Sequence, residues 1–187
     1  RTVGLDGVAA QQANYRKSGF VLAGRNVRHS GVPAPADRPA TSTVRAVTAE
    51  DLPALLAYDR AFFAGPREVF TQAWALPGAG VRRRAMLAIE DGAVAGYGVI
   101  RPCRSGYKVG PLFADDAATA EALFVALCRT APGEAVSLDT PEDNRAAVEL
   151  AERAGLKPVF ETARMYRGPA PDLPLARTFG IATFELG

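Results

Sequence analysis

The chain has 187 residues, of which 48% are hydrophobic and 22% charged, with a net charge of +2. That is enough chain for a self-sufficient core, and the near-neutral balance argues against a nucleic-acid or anionic-membrane partner. Two cysteines without metal-ligand spacing and a single histidine, His29, leave no basis for a zinc or other metal site. The sequence offers neither an apolar run long enough to span a membrane nor a signal peptide, so a cytoplasmic protein with reduced thiols is expected. The sequence opens on Arg1 rather than Met, which suggests a removed upstream portion.

In chain order, residues 2–5 read as a strand, 9–18 as a helix closed by Gly19 in the left-handed region, and 20–28 as a strand. About thirty residues cannot bury a core alone, so this unit is expected to join a separate sheet or a neighbouring copy. Residues 31–42, with three prolines and no apolar period, form a stiff linker. A strand follows at 43–47. Thr48 and Asp51 form a capping box for a helix through Leu55, Leu56 and Tyr58. Pro66 opens a second helix bearing Val69, Phe70 and Trp74, and Pro77 ends it. The basic run Arg82, Arg83, Arg84 reads as a solvated strand entry. Strands at 85–89 and 94–100 flank Asp91 and Gly92, a hairpin signal. A strand at 107–113, a helix at 117–130, a strand at 135–139, a helix at 142–154 closed by Gly155, and a strand at 156–166 complete the series. A Pro-rich stretch and a last strand at 179–186 follow. The order specifies a mixed α/β sheet covered by helices.

The two ends of the chain repeat one another. Val3, Leu5 and Asp6 match Val136, Leu138 and Asp139, and Ser18, Gly19 and Phe20 match Ala154, Gly155 and Leu156. Arg28 falls where Arg164 falls, while Pro141, Glu142 and Asp143 are extra in the second copy. A real duplication makes residues 1–30 the end of a first domain and 43–187 a second, complete copy.

The segment around Ala10, Tyr15, Gly19 and Phe20 resembles the late helix and last strands of GNAT-superfamily N-acetyltransferases, and Asn144 to Leu156 resembles the same segment in a second copy. The element order after the linker and the block from Phe179 to Gly187 are similar to tandem bacterial members. The resemblance implies a GNAT-type twisted mixed sheet flanked by helices. It also implies transfer of an acetyl group from acetyl-CoA, as cosubstrate and without a metal, to an amine of a small molecule or peptide. The family holds the pyrophosphate at a glycine-rich helix start, and a tyrosine on the later helix protonates the departing thiolate. In the second copy the glycine positions are taken by residues 114–119, with Asp115 and Asp116, and Ala151 stands where Tyr15 stands in the first. Catalysis is therefore assigned mainly to the first domain, with Tyr15 as general acid or as a packed aromatic, and with the second domain shaping the acceptor pocket. Asp59 and Arg67 read either as an ion pair pinning two helices or as substrate contacts. Tyr107, Asp139 and Asn144 are the remaining substrate-binding candidates, with helix capping an equal account of Asn144. The competing reading is a non-catalytic metabolite-binding or dimerisation module, and a homodimer is compatible with either.

Overall fold

In the computed structural model, residues 2–34 and 42–184 are described. Most of the Pro-rich linker, residues 35–41, and the end of the expected last strand, 185–187, lie outside that range. The elements are β1 (Val3–Gly7), α1 (Gln12–Lys17), β2 (Val21–Gly31), β3 (Thr43–Ala46), α2 (Leu52–Asp59), α3 (Glu68–Ala75), β4 (Arg84–Glu90), β5 (Ala93–Pro102), β6 (Tyr107–Ala114), α4 (Ala117–Cys128), β7 (Val136–Pro141), α5 (Arg145–Arg153), β8 (Lys157–Arg167) and β9 (Thr178–Gly180). They build one nine-stranded sheet in the order β1-β8-β2-β7-β6-β5-β4-β3, with β9 added on β6. This is the mixed, helix-flanked α/β sheet expected from the element order.

Local chemistry sets most boundaries. Asp91 and Gly92 take φ of 48° and 80°, the left-handed pair that a two-residue hairpin between β4 and β5 requires. Thr48 and Asp51 complete the capping box ahead of α2. In α4, Asp116 accepts from the Thr119 amide, and Ala120, Leu123, Phe124 and Leu127 form one buried face. α5 begins at Arg145 rather than 142, because the Asn144 side chain caps it through the Ala147 amide. α4 and α5 cover a core on one sheet face that includes Val109, Leu112, Val136 and Leu138. α2 and α3 cover the other through Leu55, Phe62, Tyr97 and Phe113.

The first thirty residues form the expected strand–helix–strand unit but do not go to a separate sheet. β2 lies between β7 and β8, antiparallel to both, and β1 lies on the far side of β8. The reason is a pseudo-two-fold exchange between the repeats. Asn26 faces its own repeat counterpart, Thr162, while the pair Arg25–Ala163 mirrors Val27–Glu161 and Gly24–Arg164 mirrors Arg28–Phe160. The bulges fall at the counterpart residues Ala23 and Val159. Asp6 opposite Arg164 mirrors Asp139 opposite Arg28. β2 and its repeat counterpart β8 thus lie side by side, each flanked on its far edge by a strand of the other repeat unit, so both edges of β2 are hydrogen-bonded.

The shared Asp and Arg of the repeat lock this exchange. Arg164 meets Asp6 at 2.5 Å and Arg28 meets Asp139 at 2.7 Å. Each pair joins the carboxylate of one copy to the guanidinium of the other, and both carboxylates are buried. Breaking one such buried pair costs about 3–5 kcal/mol.

Candidate active site

In α/β sheets, ligands enter the crevice outside the carboxyl ends of strands where neighbours part. β6 and β7 run parallel over Tyr107–Val109 and Val136–Leu138 and then separate. The chain's own C-terminal segment fills the gap. β9 pairs antiparallel with β6, Leu112 opposite Gly180 and Phe113 opposite Thr178, and the Ile181 amide donates to the Asp139 carbonyl at 2.9 Å. A Cβ on Gly110 would lie 2.5 Å from the Ile181 carbonyl oxygen and 2.6 Å from that of Ala182. Only glycine allows so close a passage. Residues 178–183 are all buried. The expected last strand is therefore reduced to Thr178–Gly180, because Ile181 leaves β6 to bond β7.

The start of α4 carries no cradle for a phosphate. Asp116 is committed to capping, and Asp115 accepts from Arg177 Nε and Tyr58 Oη, each at 2.9 Å. Burial and the neighbouring Asp115 push the Tyr58 phenol well above its ordinary range, so it remains a donor. Carboxylates at the helix start and a filled crevice do not fit a pyrophosphate-bearing ligand here.

A second recess opens on the α2–α3 face. A cleft of about 620 Å3 is lined by Asp6 of β1, Arg164 and Tyr166 of β8, Phe62 and Phe63 after α2, and Leu173 of the tail. A smaller recess of about 210 Å3 shares Phe62, Arg164, Tyr166 and Leu173 with it. At its base Asp6 accepts from Asn26 Nδ2 at 2.7 Å, Thr162 Oγ1 at 3.3 Å and Arg164 at 2.5 Å. Burial opposes the charge of Arg164, but Asp6 and Tyr166 outweigh it and hold the guanidinium above its ordinary pKa. The result is an aromatic chamber with a charged floor, in which Arg164 Nε stays buried without a partner.

The residues singled out in the sequence fall into four places and are not brought together. Tyr15 is half-buried with its ring against Gly7, at the carboxyl end of β1, and edge-on to Phe20 at 6.3 Å. It lines neither recess, and its hydroxyl has no hydrogen-bond partner among the described residues. Asp59 is buried and accepts from Arg67 Nε at 2.8 Å, a second Arg67 nitrogen at 2.6 Å, Thr71 Oγ1 at 2.8 Å and Tyr97 Oη. These four donors fill its acceptor sites and tie α2 to α3. Arg67 lies 5.0 Å from the Phe63 ring centroid, so the pair also steadies one wall of the larger cleft.

Asp139 is enclosed between Arg28 and Lys108. Burial draws the Lys108 ammonium below its ordinary pKa, against the pull of Asp139. Tyr107, beside it, accepts from Arg82 at 3.1 Å. Asn144 caps α5 and donates to the carbonyls of Leu175 and Thr178, each at 2.9 Å, and of Ala176 at 3.3 Å, anchoring the tail. Sequence reasoning missed Phe62, Phe63, Arg164 and Asp6 as cleft residues. The repeated Leu-Asp and Arg positions were the available signal, since paired charges recurring in both copies had to meet somewhere. No group of three or more His, Cys, Asp or Glu among the described residues is arranged to hold a metal. No helix among them is long and apolar enough to cross a membrane.

Comparison with known proteins agrees with this architecture. Residues 55–180 match a family model described as an acetyltransferase (GNAT) domain. The chain is 32% identical over 189 residues to a holothin acyltransferase of Pseudoalteromonas sp. (strain SANK 73390), covering 100% of this chain and 63% of that protein. Its fold is similar to a Pyrococcus horikoshii structure, with a TM-score of 0.80, 24% identity, and coverage of 100% of this chain and 60% of that one. It is also similar to a GCN5-related N-acetyltransferase from Sphaerobacter thermophilus, with a TM-score of 0.60, 20% identity, and coverage of 95% and 62%. At these identities the two structures speak for the fold alone. The chain spans less than two thirds of the length of each of these relatives.

Proposed function

The chain belongs to the GNAT acetyltransferase family, and on that premise we propose that it forms the acceptor side of an acyltransferase. The reaction is transfer of an acetyl group from acetyl-CoA to the amine of a small molecule. The observation that carries this reading is the aromatic cleft, whose floor belongs to β1 and β8 and whose walls, Phe62, Phe63 and Leu173, belong to the second domain. The holothin acyltransferase relative, by its name, favours a small-molecule acceptor over a peptide.

In this reading residues 1–30 are the end of a first GNAT-like domain, 31–42 a linker and 43–187 the second domain. The burial contrast between repeat counterparts supports it. Val136 is fully buried beneath α4 and α5, whereas Val3 is 38% exposed, and α1 has no buried residue. The β1 half lacks the cover its counterpart has. The acyl donor belongs to that half, because the crevice at β6 and β7 is filled by residues 178–183. Tyr15, whose ring lies against Gly7 at the carboxyl end of β1, is proposed as the general acid that hands a proton to the departing thiolate. Asp59 and Arg67 act at one remove, by holding Phe63.

Truncating the cleft wall tests the acceptor assignment. Phe63→Ala in the complete polypeptide should raise KM for the amine about tenfold, the order expected from losing part of an aromatic contact. KM for acetyl-CoA should stay within twofold or so, since the proposed donor site lies elsewhere. An unchanged KM for the amine would remove this cleft from acceptor binding.

A further inference from the structure

A different part of the molecule carries unmatched charge. Arg28, Arg67, Arg164 and Arg177 each meet a carboxylate, but Arg83 and Arg101 form no ion pair among the described residues. Arg83 does not extend into solvent as the sequence suggests for this basic run. It folds back to donate to the carbonyls of Trp74 at 2.7 Å and Ala73 at 2.6 Å, which places its guanidinium 4.4 Å from the Trp74 ring centroid.

The Arg101 guanidinium lies 5.7 Å from the same ring. It donates weakly to Cys103 Sγ at 3.3 Å, and its Nε is buried without a partner. The indole that both approach is fixed, since Trp74 Nε1 donates to the Gly110 carbonyl at 2.9 Å and Phe70 stacks on the ring. Two guanidiniums are therefore held beside one rigid aromatic plane with no counter-charge among the described residues. The conflict is registered at its neighbours. Burial and Arg101 together pull Arg83 below its ordinary pKa, and Arg101 also opposes the charge of Lys108, its register partner across β5 and β6. Asp139 answers Lys108, but no carboxylate among the described residues answers Arg101.

We propose that Arg83, Arg101 and Trp74 form a binding site for a compact oxyanion group, a phosphate or a carboxylate, held by the planar fork of Arg101 beside the indole. A guanidinium presents paired N–H donors at the spacing of two anion oxygens, and an anion between the two arginines relieves their repulsion. This site is separate from the acceptor cleft and adjoins the β6–β7 crevice through the Trp74–Gly110 hydrogen bond.

Trp74 is the single tryptophan of the chain, so its emission reports on this site alone. The test is fluorescence titration of the protein with inorganic phosphate and, separately, with malonate, at constant ionic strength set with chloride and near neutral pH. At least one anion should give a saturable change. Arg101→Gln should abolish it, Arg101→Lys, which keeps the charge but loses the fork, should weaken it about tenfold, and Arg104→Gln should leave it intact. Saturation with phosphate alone assigns a phosphate group, and with malonate alone a carboxylate. If Arg101→Gln does not fold, Arg101→Lys carries the comparison. A response no different from chloride, or the same midpoint when Arg101 is replaced, would overturn the proposal.

Discussion

Tyr15→Phe in the complete polypeptide is expected to lower turnover by roughly 10²–10⁴-fold, the usual contribution of a positioned general acid. KM for acetyl-CoA should hardly move, because the hydroxyl acts as charge develops on sulfur rather than in the ground state. The structure makes the substitution a clean one. The ring packs on Gly7 and Phe20, contacts that Phe retains, and the hydroxyl bonds to nothing that its loss would orphan. A loss of turnover therefore cannot be charged to the fold, and a melting temperature within about a degree of wild type should accompany it. If turnover survives with the ring alone, Tyr15 is a packing residue, and proton delivery lies with another group.

The second large effect falls on the tail. Asn144→Ala should destabilise the protein by about 2–4 kcal/mol, adding a lost helix cap of about 1 kcal/mol to the buried Thr178 carbonyl left without its donor at about 1–3 kcal/mol. For a chain of this size that corresponds to a fall in melting temperature on the order of 10 °C. Asn144→Asp separates the two contributions. It keeps the oxygen that accepts from the Ala147 amide but removes the donor to Leu175, Ala176 and Thr178, so it should recover only about 1 kcal/mol. If the two variants are equally stable, the side chain serves as a cap alone, and the tail is held by β9 and Ile181.

Much of the fold was legible because its signals are local. The Asp91-Gly92 hairpin, the Thr48–Asp51 box and the left-handed Gly19 and Gly155 are each decided within a few residues. The ion pairs that join the repeat positions were legible too, through the recurring Leu-Asp and the matched Arg28 and Arg164. What the sequence did not disclose was the pairing. A strand's partner is chosen by long-range register, so nothing near residues 21–31 says that β2 enters between β7 and β8. The closed crevice was half-visible. Asp115 and Asp116 told against a phosphate, but only Gly110, pressed against the Ile181 and Ala182 carbonyls, marks where the tail passes. Phe62 and Phe63 carry no local signal of a cleft, because only the packing after α2 brings them beside Arg164 and Tyr166. Site residues drawn from both repeat units are the hardest to read, because their proximity depends on the exchange itself.

Which crevice receives the acyl donor decides the division of labour proposed above, and acetyl-CoA binding to residues 1–187 tests that directly. A ligand that binds the native state must raise its melting temperature in proportion to its concentration over Kd. The account predicts no saturable rise with acetyl-CoA, because residues 178–183 and the Asp115–Arg177 pair fill the place between β6 and β7 where it would have to enter. A saturable rise that maps to that crevice, and grows when Asn144→Asp loosens the tail, would contradict it.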